Sequence, residues 1–242
     1  MITRRGWIAG LGSIGVAAAG AKALDANGLV PPDATGIFAP ERTLSYAAHR
    51  LLAPHSMARE FPRSAISEPP FPNGKPAKEA LAPDAPSTWR LEVGGLVANP
   101  ITLSLADLRA MPRRSQVTAL ACEEGWSYVA EWIGVPLAHV LREAGVKPEA
   151  RYVAYFSVQP RWWDSIDMND ALHPQTFLAY GMNGGDLPPG HGGPMRIRVP
   201  RQLGYKSVKF VTKLTLLESV KGIGKGMGSN AAERGYSWFN GI

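Results

Sequence analysis

The 242-residue chain has one cysteine, Cys122. A lone thiol excludes an intrachain disulfide and any metal site built from paired cysteines. Charged residues make up only 19%, with no block of one sign and no basic stripe interleaved with aromatics. Nucleic acid is therefore not an expected partner. The phosphate-cradling patterns GxGxxG after a strand and GxxxxGK before Ser or Thr are missing, so nicotinamide and nucleoside-triphosphate sites are not indicated. There is no CxxCH, no paired-His arrangement for heme and no internal repeat. Long apolar runs are also scarce. Trp7 to Ala21 is the single one, and at about 15 residues it suits a signal-peptide core better than a membrane span.

That run follows Thr3-Arg4-Arg5-Gly6 and offers small-residue cleavage sites at Ala19-Gly20-Ala21 and Ala21-Lys22-Ala23. Paired arginines before a weakly hydrophobic run resemble a twin-arginine signal, which exports folded, cofactor-loaded proteins. A chance Arg-Arg in a general secretory signal, or an uncleaved anchor, is the alternative. The expectation is a signal over 1–23 and a soluble mature protein. Without Arg4, Arg5 and Lys22, 23 basic residues face 20 acidic ones, a net charge near +3 that suits an anionic cofactor or substrate.

Hydrophobic residues at 45% give enough apolar surface for a core, while 26 Gly and 21 Pro imply long connections rather than a helical bundle. Residues 24–86 hold many of the prolines. They read as an arm packed on the core through Phe38, Tyr46, Phe61 and Phe71, with a free linker as the alternative. Thr43 to Glu60 is amphipathic and reads as helical. The core is expected over 87–220, with a tail over 221–242. Trp89, Leu91 and Val93 alternate with polar residues as a strand that Gly94-Gly95 breaks. Ser104 and Asp107 form a capping box before a short helix that Pro112 ends. Gln116 to Ala121 reads as a strand delivering Cys122, and Val135 to Ala144 as a helix stopped by Gly145. Tyr152–Val158, Thr176–Tyr180, Met195–Val199 and Ser207–Leu217 read as further strands. Uneven spacing of strands and short helices predicts a mixed α+β domain.

Three segments, taken in order, resemble the molybdopterin-binding sulfite oxidase family. They are Ala121-Cys122-Glu123-Glu124-Gly125-Trp126-Ser127 with Glu131-Trp132-Ile133-Gly134-Val135-Pro136-Leu137; Asn183-Gly184 through Leu187 with His191-Gly192-Gly193-Pro194-Met195-Arg196; and Val199-Pro200 with Gly204-Tyr205-Lys206-Ser207-Val208-Lys209-Phe210. The resemblance spans about residues 88–218. Within the family the match is mixed. Glu123 and Glu124 stand where sulfite oxidases usually show arginines, whereas His191 follows the sulfite oxidases rather than the methionine-sulfoxide reductase branch.

The resemblance implies a mixed sheet with short helices and a molybdenum–molybdopterin cofactor, one metal per chain, bonded by the Cys122 thiolate. It implies Arg196, Ser207, Val208 and Lys209 at the pterin and its phosphate, with His191, Ser157 and the upstream His49 as further cofactor contacts. Arg161, in Arg161-Trp162-Trp163-Asp164-Ser165, is placed at the substrate mouth. The implied reaction is two-electron oxygen-atom transfer at sulfur, either sulfite oxidation or S-oxide reduction, in the periplasm. Electrons would pass through a separate c-type cytochrome or membrane heme subunit. A buried structural cysteine in a non-catalytic exported binding or assembly module is the competing expectation.

Overall fold

The computed structural model describes Gly20 and residues 22–242. The signal expected over 1–23 lies almost wholly outside the described residues. The chain folds as two compact units, one ending at Pro54 and one running from His55 to Ile242. The first contains the helix Ala39–Leu52, with Pro40 in its first turn. It begins earlier than the amphipathic stretch implied and stops well short of Glu60, because Pro54 disfavours helical backbone at the residue before it. Arg42 ties it back to Asp33 through an ion pair of 3.1 Å.

The second unit is a mixed α+β body with two five-stranded sheets. Its strands are β1 (Arg90–Gly95), β2 (Ile101–Ser104), β3 (Arg114–Ala121), β4 (Ser127–Pro136), β5 (Tyr152–Ser157), β6 (Trp163–Asp167), β7 (Phe177–Met182), β8 (Gly185–Asp186), β9 (Arg196–Arg198) and β10 (Val211–Leu217). One sheet runs β2-β1-β10-β5-β6; the other runs β3-β4-β7-β8, with β9 also paired to β7. Only β1 and β10 are parallel to each other; the remaining pairs are antiparallel.

The helix Leu137–Ala144 buries Leu137, Val140, Leu141 and Ala144, the i, i+3, i+4, i+7 set of one face. These join Leu91, Val93, Val153, Ile197 and Leu214 in the main core. The capping box forms as expected: Asp107 N–H donates to Ser104 Oγ at 3.1 Å and Ser104 N–H to Asp107 Oδ2 at 2.8 Å. Upstream, the backbone at 58–67 runs along the second sheet. Phe61 N–H donates to the Val117 carbonyl and Ser67 N–H to that of Val129, each at 2.9 Å.

Several local expectations fail for physical reasons. Val135 and Pro136 belong to β4, not to the following helix. β4 itself is hidden from pattern reading because it is buried on both faces and so does not alternate. β6 carries Asp164, Ser165 and Asp167, all buried, so it has no apolar signature. β1 continues through Gly94-Gly95. The strand expected from Ser207 begins only at Val211, since Phe210 turns the chain with φ 58°.

Gly134 marks the irregularity where β4 meets β7, and a Cβ there would fall on the Leu178 carbonyl. Gly134→Ala should therefore cost about 2–3 kcal/mol, lowering Tm by roughly 5–10 °C. Gly94→Ala, where a Cβ meets nothing within 4 Å, should leave Tm nearly unchanged. Thermal unfolding of the two variants checks this, and equal Tm values would contradict it.

Candidate cofactor cleft

Cys122 stands directly after β3, in the tight turn that leads to β4. Its N–H donates to the Trp126 carbonyl at 2.9 Å, and Gly125 N–H returns to the Cys122 carbonyl at 3.1 Å. Gly125 adopts φ 90°, a conformation that glycine enters without steric cost. The turn thus presents the thiol, half-buried, to a cleft of about 470 Å³ in the second unit.

Two carboxylates crowd that thiol. Cys122 Sγ lies 3.4 Å from Glu123 Oε2 and 3.9 Å from Glu124 Oε2. Glu124 is fixed by the Trp126 indole N–H at 3.0 Å. Burial pushes the Cys122 thiol up to about 11, and the two glutamates push in the same direction. The thiol stays protonated at neutral pH unless a cation binds it, which is the state a metal ion reverses. Among the described residues no three His, Cys, Asp or Glu converge on a metal. A metal bonded by Cys122 must bring most of its ligands with it.

Another part of the cleft is cationic. On β9, Arg196 and Arg198 point to one side while Ile197 enters the core, as strand alternation requires. Both guanidinium groups are buried and lie over the Trp132 ring, at 5.2 Å and 4.5 Å from its centre. Their partners are neutral. Arg196 donates to the carbonyls of His191, at 2.9 Å, and Ser207. Arg198 donates to Ser207 Oγ and to the Ala119 carbonyl, each at 3.0 Å. The Nε of each has no partner among the described residues. Burial, then Arg196, lowers Arg198 to about 9. The same two causes lower Lys209 to about 7, with its ammonium donating to the Asn73 and Gly190 carbonyls at 2.5 and 2.6 Å. Buried cations held only by neutral acceptors favour an anionic occupant. The residues present therefore fit a group that joins a thiolate-seeking metal to an anionic tail.

Of the residues singled out from sequence, Cys122, Arg196, Ser207, Val208 and Lys209 line this cleft together. The others are placed elsewhere. His191 is buried beside the lining, its Nδ1 3.2 Å from the Tyr128 hydroxyl, and burial lowers it to about 4. Ser157 ends β5, and its hydroxyl accepts the Gln159 N–H at 3.1 Å within the turn that follows. Arg161 is exposed in that turn with φ 69°, and its neighbour Trp162 takes the place at the cleft. His49 sits on the first unit's helix, whereas the lining comes wholly from the second.

Sequence reading passed over Arg198, although the alternation Arg196-Ile197-Arg198 carried the signal. It also passed over Asn230, Arg234 and Tyr236, which reach the cleft from the segment expected to be a tail. Nothing in their local pattern announces this, because long-range bonds hold the segment in place. Ser165 Oγ donates to the Gly228 carbonyl at 2.5 Å, and the buried Trp238 donates to Ser165 Oγ at 2.9 Å.

The comparisons with known proteins agree with this geometry. Residues 78–222 match the family described as oxidoreductase molybdopterin binding domain. A protein of Azospira oryzae, provisionally named protein-methionine-sulfoxide reductase subunit YedZ1, is 39% identical over 79% of this chain and 70% of its own length. The protein-methionine-sulfoxide reductase catalytic subunit MsrP of Ralstonia nicotianae is 32% identical over 55% of this chain and 45% of its own. The crystal structure of the sulfane dehydrogenase SoxCD from Paracoccus pantotrophus superposes with a TM-score of 0.54 at 28% identity. That match covers 55% of this chain and 39% of the other. The chain thus spans less than half the length of the latter two. The matched domain holds Cys122, Arg196 and Lys209, and the fold is that of the sulfite-oxidase type. The chain is a molybdopterin-dependent oxidoreductase and belongs to the oxidoreductase molybdopterin binding domain family.

Proposed function

We propose that this chain is an exported enzyme that reduces S-oxides, taking electrons from a separate heme protein, either a small c-type cytochrome or a membrane heme subunit. The carrying observation is the pair of carboxylates, Glu123 and Glu124, within 3.4 and 3.9 Å of the Cys122 sulfur. Fixed negative charge beside the metal-bonding sulfur disfavours the approach of a further anion. Anionic sulfite is opposed by that charge, whereas a neutral S-oxide is not. Two of the relatives carry methionine-sulfoxide reductase names, which supports the same direction. The family assignment argues against the non-catalytic module.

When bound, the molybdenum cofactor supplies two-electron oxygen-atom exchange. The protein supplies placement. Cys122 would bond the metal. Arg196 and Lys209 would hold the anionic end, with Ser207 and Val208 alongside and Arg198 supporting Ser207 from behind. Trp126 and Tyr128, stacked with ring centres 6.1 Å apart, line the cleft with aromatic surface that suits a sulfur substrate. Arg161, His191 and Ser157 are not assigned contacts, given their placement in the second unit. Among the described residues no helix is long and apolar enough to cross a membrane. A periplasmic location rests on the Arg4-Arg5 signal.

Steady-state assays on the molybdenum-loaded protein, with a reduced dye as donor and an oxidised dye as acceptor, test the direction. Reduction of methionine sulfoxide should exceed sulfite oxidation by about 100-fold in kcat/KM, roughly 3 kcal/mol. Cys122→Ser should abolish turnover while the protein stays folded. Faster sulfite oxidation refutes the substrate class, and an active Cys122→Ser refutes the metal ligand.

Arg196→Ala should lower molybdenum occupancy about tenfold or more, since a charge-assisted hydrogen bond contributes about 1.5–3 kcal/mol. Arg196→Lys should restore it only in part, because the planar fork is lost. Metal analysis after gel filtration reads both; full occupancy in Arg196→Ala would misplace the anionic tail.

Replacing Arg4 and Arg5 by Lys together should hold the precursor in the cytoplasm. Cell fractionation reads this outcome, and normal export of the double variant rules out the twin-arginine route.

A further inference from the structure

One buried carboxyl in the cleft has no task in the scheme above. Asp164 on β6 is 1% exposed, yet it lines the cleft. Both hydrogen bonds that it accepts fall on Oδ1, from Lys206 Nζ at 2.7 Å and from Ser165 N–H at 2.7 Å. Oδ2 takes neither, and the residue itself lines the cleft. Lys206 is pinned in turn. Its ammonium also donates to the Ser165 carbonyl at 2.9 Å and lies 4.6 Å from the centre of the Trp238 ring. Its own carbonyl accepts the Tyr155 hydroxyl at 2.9 Å. The carboxyl is thus fixed through one oxygen and available through the other.

We infer that Asp164 is the proton-exchange group of this cleft, passing protons through Oδ2 to the oxygen that leaves the substrate sulfur. The inference rests on the S-oxide reading. Reduction of a sulfoxide to the thioether breaks the sulfur–oxygen bond, leaves an electron pair on sulfur and forms two O–H bonds to give water. The two electrons come from the separate heme protein. The two protons pass one at a time through Asp164, which is recharged from water in the cleft after each transfer.

The surroundings suit that task. The groups facing Asp164 are the Lys206 ammonium from the turn Gly204–Lys206, Glu123 from the β3–β4 turn and the Tyr155 phenol, its cross-strand neighbour on β5. Burial raises the Asp164 carboxyl to about 6, while Lys206 and the Ser165 N–H draw it down and Glu123 pushes it up. An ordinary aspartate, near about 3.9, holds almost no protons at neutral pH. A group at about 6 can be loaded and unloaded there. A merely structural ion pair would affect stability and leave no mark on the pH profile of turnover.

The test is kcat against pH, over about pH 4.5–8.5, for the molybdenum-loaded enzyme reducing methionine sulfoxide. Wild type, Asp164→Asn and Asp164→Glu are compared. The protonated form donates, so the wild-type rate should fall as pH rises through about 6. Asp164→Asn keeps an oxygen for Lys206 but carries no exchangeable acid proton. It should lose this limb and about 100-fold or more in kcat, with KM changed less than about threefold. Asp164→Glu should recover a limb at a shifted pH. A readout independent of turnover is the infrared carbonyl stretch of a protonated carboxyl in the cofactor-free protein. It should vanish as pH rises through about 6 and be missing from Asp164→Asn. A wild-type profile without the limb, near-normal kcat in Asp164→Asn, or persistence of the band in that variant overturns the inference. If Asp164→Asn does not fold, the wild-type profile and band decide. Methionine sulfoxide turnover without the limb removes this inference alone. No S-oxide turnover at all removes the function reading, and this inference with it.

Discussion

Two guanidinium groups buried side by side set the terms for the cleft. Arg196 and Arg198 share one side of a three-residue strand, lie over the same Trp132 ring and receive only neutral acceptors. Burying a charge is expensive unless an opposite charge or a polarisable face answers it. Here the indole and five neutral oxygens answer part of the cost: the carbonyls of His191, Ser207 and Ala119, and the Ser207 and Thr118 hydroxyls. An anion in the cleft would reach Arg196 directly, since that residue is part of the lining. The segment Ser207–Lys209 gains its role from the same constraint, since it provides both acceptors for the arginines and a third cation.

The cleft is therefore polarised. Carboxylates surround the thiol, and cations collect around β9. This arrangement orients a ligand that is metal at one end and anion at the other, because the reverse placement sets charge against like charge in both places. The same surroundings hold the thiol well above its ordinary range when no metal is bound. Burial and the Glu123 and Glu124 charges all oppose a bare thiolate, and a metal cation relieves all three.

Beyond the family-matched residues, the segment from Gly228 to Trp238 is part of the cleft architecture. Ser165 bonds to both of its ends, through the Gly228 carbonyl and the Trp238 indole, and Tyr205 donates to the Ser237 carbonyl at 2.6 Å. Trp238 also lies beside the Lys206 ammonium. The stretch carrying the buried Asp164–Lys206 pair is thus closed over by residues that a domain boundary at 222 would omit.

Local physics was legible in the chain itself. The Ser104–Asp107 cap, the amphipathic face of Leu137–Ala144, the alternating strand at Trp89–Val93 and the strand that ends at Cys122 all follow from periodicity and capping chemistry, which act within a few residues. The ordered motifs around Cys122, Arg196 and Lys209 pointed to a shared site through their resemblance to a family, and the structure brings these three residues to one cleft. Tertiary structure alone decided the rest. β4 and β6 are buried on both sides, so no alternation betrays them, and only their neighbours make them strands. Arg161 and Trp162 are adjacent in sequence, but a turn sends the first to solvent and the second to the cleft. Arg198 gains its meaning from Trp132, and Asp164 from Lys206, partners 66 and 42 positions away whose approach depends on sheet pairing rather than on any local pattern.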